Sequence, residues 1–259
     1  MRIGLASYKC KNKDMAFNIR QIEKAMKAAR DKADALCFGE AFLQGFDSLC
    51  WDYDIDKNMA VPADSPTMRR LAELTKTYGM ALMVGYIEKT QEALYSSYVV
   101  LDGGKTVHNY RRISKGWKEY WKTDEHYKEG NTVAAFTLRG TSMTTALCGD
   151  LWDFPERFKT EHLLIWPVYV NFSPAEWERA ELSAYAKQAE AVSDHVLMIN
   201  PLDDDPACYG GSCYFSKGKI IERLPFGEEG ILFVDTGIDL TENETNATIM
   251  TSSKKEKST

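Results

Sequence analysis

One cysteine, one glutamate and a group of basic residues stand where apolar, strand-like runs of the sequence end. Cys148 closes the run ALC and precedes GDLWDFPE, Glu40 closes the run ALCFGE, and the basic residues lie in YRRISKGWKEYW, which begins at Tyr110. In layered α/β folds ligands bind beyond the carboxyl ends of strands, so we expect these segments to meet. In such a group the carboxylate can accept the proton of the thiol, and the cation can stabilise the oxyanion that forms when the sulfur attacks a carbonyl group. The thiol is then an activated nucleophile for acyl transfer.

The elements that would position these residues form a mixed pattern of strands and helices. Residues 2–8 read as a strand, residues 14–33 carry apolar side chains at helical spacing, and residues 35–42 read as a second strand. An Asp-Gly-Gly turn at 102–104 joins two strand patterns into a hairpin, and residues 175–194 read as a long helix. This mixture predicts layered sheets covered by helices.

Four segments, in this order along the chain, resemble motifs of the carbon-nitrogen hydrolase, or nitrilase, superfamily. They are FGEAFLQGF, the hairpin that ends in YRR, LCGDLWDFPE and YGGSCYF, and the similarity runs from Arg2 to about Asp235. The resemblance implies an α/β fold, a four-layer α-β-β-α sandwich, with residues 1–240 as one domain. It also implies a Glu-Lys-Cys triad that cleaves amides, carbamoyl groups or nitriles through a thioester-type intermediate.

The resemblance assigns roles to the residues at the strand ends. Glu40 is the expected general base and Cys148 the expected nucleophile. The backbone N–H of Gly149 is an expected donor to the oxyanion. Asp150 reads as a turn aspartate that holds the cysteine loop in place.

One departure from the family pattern concerns the lysine of the triad. The family usually has Tyr-Arg-Lys at the end of the hairpin strand, and this chain has Tyr-Arg-Arg, which puts Arg112 at the lysine position. Arginine cannot share protons as lysine does, because its pKa exceeds about 12. Lys118 and Lys115 are the nearby substitutes. The aromatic residues around Lys118 favour it narrowly, and Lys115 stays open.

Further site residues are implied by the same resemblance. Glu119 is favoured over Glu125 as the auxiliary acid that many family members place after the lysine. Besides Gly149, the residues expected to bind the substrate are aromatic: Tyr86, Trp117, Trp152 and Tyr169.

The predicted function is hydrolysis of a non-peptide carbon-nitrogen bond in a small amide or N-carbamoyl compound through a covalent cysteine acyl-enzyme. Nitrile hydrolysis is the alternative within the family. The arginine at the lysine position leaves open a non-catalytic binding protein on the same fold, and a thiol-redox protein would require a resolving cysteine near Cys148. The other five cysteines are expected to be core or supporting thiols.

Charge and hydropathy argue against nucleic-acid and membrane partners, and the resemblance implies a small-molecule substrate. The formal net charge of −6 and the pI near 5.4 give no basic field that would gather phosphates, so no nucleic-acid partner is expected. No stretch approaches the roughly 18 uninterrupted apolar residues of a membrane span, and the chain begins on a strand pattern, so we expect a cytoplasmic protein with no membrane contact. There is no CxxC pair and no histidine pair at ligand spacing, so neither metal nor cofactor is expected.

Two expectations concern the tail and the assembly. Residues 241–259 are polar and lack periodicity, so we expect a tail outside the folded domain. Members of the resembled family commonly pair through a helical layer, which implies a homodimer built on helical faces. The predicted helix at 175–194 would contribute its apolar and aromatic side chains to the dimer interface: Trp177, Leu182, Tyr185 and Ala189.

Overall fold

The computed structural model describes residues 1–204 and 207–236, and its strands and helices follow the hydrophobic pattern of the sequence. The strands are β1 (Arg2–Ser7), β2 (Ala35–Cys37), β3 (Ala81–Lys89), β4 (Leu94–Asp102), β5 (Lys105–Arg111), β6 (Phe136–Leu138), β7 (Thr141–Thr145), β8 (Leu163–Pro167), β9 (His195–Ile199), β10 (Leu202–Asp204), β11 (Ala207–Tyr209), β12 (Cys213–Ser216), β13 (Lys219–Arg223) and β14 (Gly230–Asp235). The α-helices are α1 (Met15–Ala29), α2 (Tyr53–Asp56), α3 (Pro66–Tyr78), α4 (Asp150–Asp153), α5 (Pro174–Glu176) and α6 (Leu182–Glu190).

Two six-stranded sheets carry the fold. The first has the order β14-β1-β2-β3-β4-β5, and the second has the order β13-β12-β9-β8-β7-β6. The strands β1, β2 and β3 run parallel, as do β7, β8 and β9, and antiparallel strands flank both groups. The carboxyl ends of the parallel strands therefore lie together at one end of each sheet, where the sequence predicts the reactive residues.

The period-two alternation of the strands places one face of the first sheet against the second sheet and the other face against helices. In β1, Ile3 and Leu5 belong to the core cluster that spans both sheets, whereas Ala6 belongs to the cluster formed with α1 and α3. The second sheet is covered in turn by α6, whose buried side chains join the inter-sheet cluster. The result is the four-layer α-β-β-α sandwich, so the predicted fold class is confirmed.

Local signals of the sequence explain several element boundaries. The helix α3 begins after Ser65, whose hydroxyl accepts a hydrogen bond from the Met68 N–H at 3.2 Å, and it ends at Gly79. The Asp-Gly-Gly turn does join β4 and β5 into an antiparallel hairpin, as predicted. The predicted long helix at 175–194 is instead interrupted by a π-helical turn at Trp177–Glu181, between α5 and α6.

The four helix residues predicted to form a dimer face are buried inside this chain. The exposed fractions of Trp177, Leu182, Tyr185 and Ala189 are 2%, 7%, 6% and 1%. These side chains pack in the protein's own core, so the homodimer stays a prediction that they do not support. The predicted tail at 241–259 lies outside the described residues. Within the described ranges, no helix combines the length and the apolar character needed to cross a membrane.

Candidate active site

The loop after β2 presents Glu40 to the interior between the sheets. The glutamate is 1% exposed and is followed by Ala41, whose φ is +49°, a strained value for a residue with a side chain. The loop crosses β3 at Gly85, where an added Cβ would lie 2.4 Å from the Ala41 nitrogen. Gly85 therefore permits the close backbone approach that directs the Glu40 carboxylate inward.

The two carboxylate oxygens of Glu40 have different surroundings. Oε1 accepts hydrogen bonds from the Ser96 hydroxyl at 2.9 Å and from Nη1 of Arg112 at 2.8 Å. Oε2 is buried and forms no hydrogen bond with any described residue. One oxygen is thus fixed in position, and the other is available to accept a proton.

Arg112 follows the last residue of β5 and is the cation that contacts Glu40. Its side chain is 2% exposed, and the pair is a buried salt bridge. Nε donates to the Ser114 hydroxyl at 2.7 Å, so two of the three guanidinium nitrogens are held. Burial alone would lower the pKa of Arg112, but the neighbouring acidic groups, Glu40 first among them, raise it above its ordinary value. The guanidinium is therefore charged at every physiological pH.

Cys148 sits on a strained turn just beyond β7. Its N–H donates to the Pro167 carbonyl at 2.9 Å, and its own carbonyl accepts from Nε1 of Trp166 at 2.9 Å. The φ of Cys148 is +42°, a left-handed value that costs a residue with a Cβ about 1–2 kcal/mol. The second sheet thus holds the cysteine backbone in a conformation that it would not adopt unaided.

The thiol of Cys148 is a weak acid in this setting. Its pKa is raised to about 12, chiefly by burial and next by the Glu40 carboxylate. The Arg112 guanidinium and a hydrogen bond from the backbone of Tyr169 act in the opposite direction. At neutral pH the thiol is therefore protonated, so its use as a nucleophile requires a base that removes the proton.

Asp150 ties the cysteine loop to the loop that carries the arginine. It is fully buried, and its Oδ2 accepts from the Leu147 N–H at 2.8 Å and from the Tyr110 hydroxyl at 2.6 Å. Its Oδ1 accepts from the N–H groups of Ile113 and Ser114 at 3.1 and 2.7 Å. This carboxylate therefore bridges the segments after β5 and β7, which is more than the local turn that the sequence predicts for it.

The two lysines proposed for the triad make their contacts elsewhere. Nζ of Lys118 lies 2.8 Å from Oε1 of Glu129 and also donates to the Tyr127 carbonyl. Nζ of Lys115 lies over the ring of Tyr120, 5.3 Å from its centroid. In the part of the chain that the structure describes, neither lysine forms an ion pair or hydrogen bond with the glutamate or the cysteine.

Among the residues predicted to bind substrate, three lie close to the reactive groups. Gly149 adjoins the cysteine and contacts the Arg112 side chain. The backbone of Tyr169 hydrogen-bonds the thiol, and its ring stacks on Phe46 with centroids 4.4 Å apart. Trp117 is buried in a cluster with Ala41, the residue after the glutamate.

Of the three other predicted site residues, Tyr86 and Glu119 lie apart from this group, and Trp152 lies at its edge, beside the Trp166 ring that donates to the Cys148 carbonyl. The ring of Tyr86 packs in the cluster with α1 and α3, on the opposite face of the first sheet. Glu119 forms an exposed ion pair with Lys122 at 2.7 Å. Trp152 is 42% exposed and packs edge-on against Tyr185, with centroids 5.2 Å apart.

Sequence reasoning missed the two serines of the site, Ser96, which holds Glu40, and Ser114, which holds Arg112. Ser96 and Ser114 carry no signal as isolated serines, and their roles appear only when the strands are paired. The contact made by Arg112 did have a signal, because the alternation of β5 that turns Tyr110 inward and Arg111 outward, continued by one residue, turns Arg112 inward. Arg111 points to the other face and pairs with Glu88 at 2.6 Å.

All six cysteines lie in the described ranges and are free thiols. Four of the other five are buried as predicted, but Cys50 is exposed, so that prediction was wrong for Cys50. Its sulfur lies 3.3 Å from Oδ1 of Asp56, a buried carboxylate. Residues 1–204 and 207–236 contain no cluster of three or more side chains suited to hold a metal ion.

The fold and the grouped side chains together define an α-β-β-α sandwich with a cysteine, a glutamate and an arginine gathered where the strands end. The chain belongs to the carbon-nitrogen hydrolase family, whose model matches residues 2–243.

Individual proteins resemble this chain at low sequence identity. The glutamine-dependent NAD(+) synthetase of Thermotoga maritima is 23% identical over 256 residues, which are 94% of this chain and 43% of the synthetase. The chain spans less than half the length of the first curated relatives it matches.

Two solved structures share the fold. A CN-hydrolase superfamily protein from Xanthomonas campestris, with an arsenic adduct in its active site, superposes with a TM-score of 0.75 at 17% identity, covering 97% of this chain and 96% of that one. A glutamate-to-glutamine mutant of the amidase from Nesterenkonia sp. AN1, with acrylamide added at its active-site cysteine, gives a TM-score of 0.71 at 18% identity, covering 96% and 99%. At these identities the likeness is one of fold.

Proposed function

We propose that this protein hydrolyses the carbon-nitrogen bond of a small amide or N-carbamoyl compound through an acyl-enzyme on Cys148. The observation that carries the proposal is the buried Glu40 carboxylate, which has one oxygen fixed by Ser96 and Arg112 and the other unpartnered among the described residues. This carboxylate acts on a neighbouring thiol that is protonated at neutral pH. A base beside a protonated nucleophile is what covalent acyl transfer requires.

The first half of the reaction forms the acyl-enzyme. Glu40 takes the thiol proton of Cys148 as the sulfur bonds to the substrate carbonyl carbon, and the carbonyl π electrons move onto the oxygen. Nη2 of Arg112 and the Gly149 N–H donate to this oxyanion. The intermediate collapses when the C–N bond breaks, and the amine leaves with the proton that Glu40 returns to it.

The second half of the reaction restores the enzyme. Glu40 takes a proton from water as the water oxygen attacks the thioester carbon. The C–S bond then breaks, the acid or carbamate product departs, and the Cys148 sulfur regains its proton from Glu40. Each proton taken by the glutamate is returned, so the cycle needs no co-reactant other than water.

Arg112 serves as the cation of this site in place of the usual lysine. Its contact with Glu40 supports this role, whereas Lys118 is engaged with Glu129. An arginine donates hydrogen bonds permanently and does not release a proton, because its pKa exceeds about 12. That property suits the oxyanion formed from an amide. The nitrogen anion formed from a nitrile needs a proton that arginine does not supply, so its protonation would depend on Glu40 alone, and nitrile hydrolysis is the less favoured alternative.

A substrate panel with three variants tests the proposal. The wild-type protein should hydrolyse simple aliphatic amides or N-carbamoyl amines faster than the matching nitriles. Cys148→Ala and Glu40→Gln should each lose at least about a hundredfold in kcat, because they remove the nucleophile and the base. Cys50→Ala, which removes an exposed thiol, serves as the matched control and should turn over normally. Retention of a tenth of wild-type turnover by Cys148→Ala would refute the proposal.

A further inference from the structure

The residue after the cysteine is a glycine for a steric reason. An added Cβ at Gly149 would lie 2.5 Å from Nη2 of Arg112 and 3.3 Å from the Ser114 hydroxyl oxygen. The φ and ψ of Gly149 are −64° and −10°, which any residue adopts without strain. The backbone therefore does not require glycine here, and the arginine side chain does.

The arginine cannot simply move aside for such a side chain. Nη1 is held by Glu40 at 2.8 Å and Nε by the Ser114 hydroxyl at 2.7 Å. The backbone at Gly116 also lies close to the guanidinium, because a Cβ added there would be 3.1 Å from Nη2 of Arg112. With 2% of its side chain exposed and two of its three guanidinium nitrogens held, a shift of Arg112 would break at least one of these hydrogen bonds.

A lysine at position 112 would relax this restriction. The Cζ atom of Arg112, near which a lysine side chain would end, lies 3.7 Å from the added Cβ, an ordinary van der Waals contact. The clash at Gly149 thus comes from Nη2 alone, the terminal nitrogen that arginine has and lysine lacks.

We propose that Arg112 and Gly149 are a matched pair, in which Gly149 is a positioning residue for Nη2 of the arginine. The missing side chain keeps this nitrogen beside the residue that follows Cys148, where the oxygen of an attacked substrate comes to lie. The catalytic part of this inference rests on the proposed function, whereas the steric part does not.

A double-mutant cycle tests the pairing. The four proteins are the wild type, Gly149→Ala, Arg112→Lys and the combination of both, and each is measured for its urea unfolding midpoint and for kcat and KM on the best amide. In the arginine background, Gly149→Ala should lower kcat by at least about tenfold and should lower the unfolding midpoint. In the Arg112→Lys background the same change should alter kcat by less than about twofold and leave the midpoint nearly unchanged.

A neighbouring arginine provides the matched control. Arg111→Lys changes the same residue type one position earlier, where the side chain pairs with Glu88 and faces away from the site. It should not rescue Gly149→Ala. If Gly149→Ala does not fold, recovery of folded protein on adding Arg112→Lys supports the pairing.

Two outcomes separate the inference from the proposed function. Equal losses from Gly149→Ala in both backgrounds, or failure of both proteins to fold, would overturn the matched pair. Coupling in the unfolding midpoint without any amide hydrolysis by the wild type would uphold the steric pairing and refute the proposed function instead.

Discussion

Removal of the Arg112 guanidinium should destabilise the protein more than removal of any half-exposed basic side chain. The substitution Arg112→Met keeps most of the side-chain volume and deletes the positive charge. Glu40 is then left as a buried carboxylate for which, among the described residues, the Ser96 hydroxyl is the remaining hydrogen-bond donor. Both side chains of the pair are at least 98% buried, and their atoms lie 2.8 Å apart. Loss of one partner from such a pair costs about 3–5 kcal/mol, because the other charge stays buried without compensation.

The assay is urea unfolding followed by circular dichroism, with two companion variants. The combination of Arg112→Met with Glu40→Gln removes both charges and should recover most of the loss. Arg139→Met breaks the Arg139–Asp102 pair, whose side chains are 30% and 21% exposed, and should cost about 1 kcal/mol or less. A cost for Arg112→Met no larger than that for Arg139→Met, or no recovery in the combined variant, would refute the reasoning.

Three further predictions concern the same site. Glu40→Gln should lower the pH midpoint of Cys148 alkylation by iodoacetamide, because the Glu40 carboxylate is one of the groups that raise the pKa of the thiol to about 12. An unchanged midpoint would argue against a contact between Glu40 and Cys148. Asp150→Asn should lower kcat by roughly tenfold or more and leave KM nearly unchanged, because a side-chain amide cannot accept all four hydrogen bonds that the Asp150 carboxylate accepts. Equal effects on kcat and KM would point to a role in substrate binding. Lys118→Ala should change kcat by less than about threefold, because its ammonium is engaged with Glu129, and a hundredfold loss would return the cation role to this lysine.

The parts of the site that follow local rules could be predicted from the sequence. Glu40 and Cys148 each end an apolar strand, and parallel strands bring their carboxyl ends together, so their convergence needed no detail of packing. The strand and helix periods predicted layered sheets covered by helices, and the resemblance to the family implied their arrangement as a four-layer sandwich. The hairpin at 102–104 followed from its turn residues alone.

The parts that depend on packing between distant segments could not be predicted. The pairing of Arg112 with Glu40 and of Lys118 with Glu129 depends on where β5 ends and on which acid meets each cation across the fold. The orientation of Tyr86, in contrast, could have been predicted. Val84 and Tyr86 alternate with Gly85 along β3, so they point away from the face on which Gly85 meets the Glu40 loop. Only the family resemblance places Tyr86 in the site. The π-helical turn at Trp177–Glu181 has no mark in the helical spacing of the sequence.

The most direct test of the account is mass spectrometry of the protein quenched during turnover of an amide. We expect a mass increase equal to the substrate acyl group, mapped to the peptide that contains Cys148 and absent from Cys148→Ala. Steady hydrolysis of the amide by the wild type with no acyl group on Cys148, under conditions where an added thioester standard survives the quench, would contradict it.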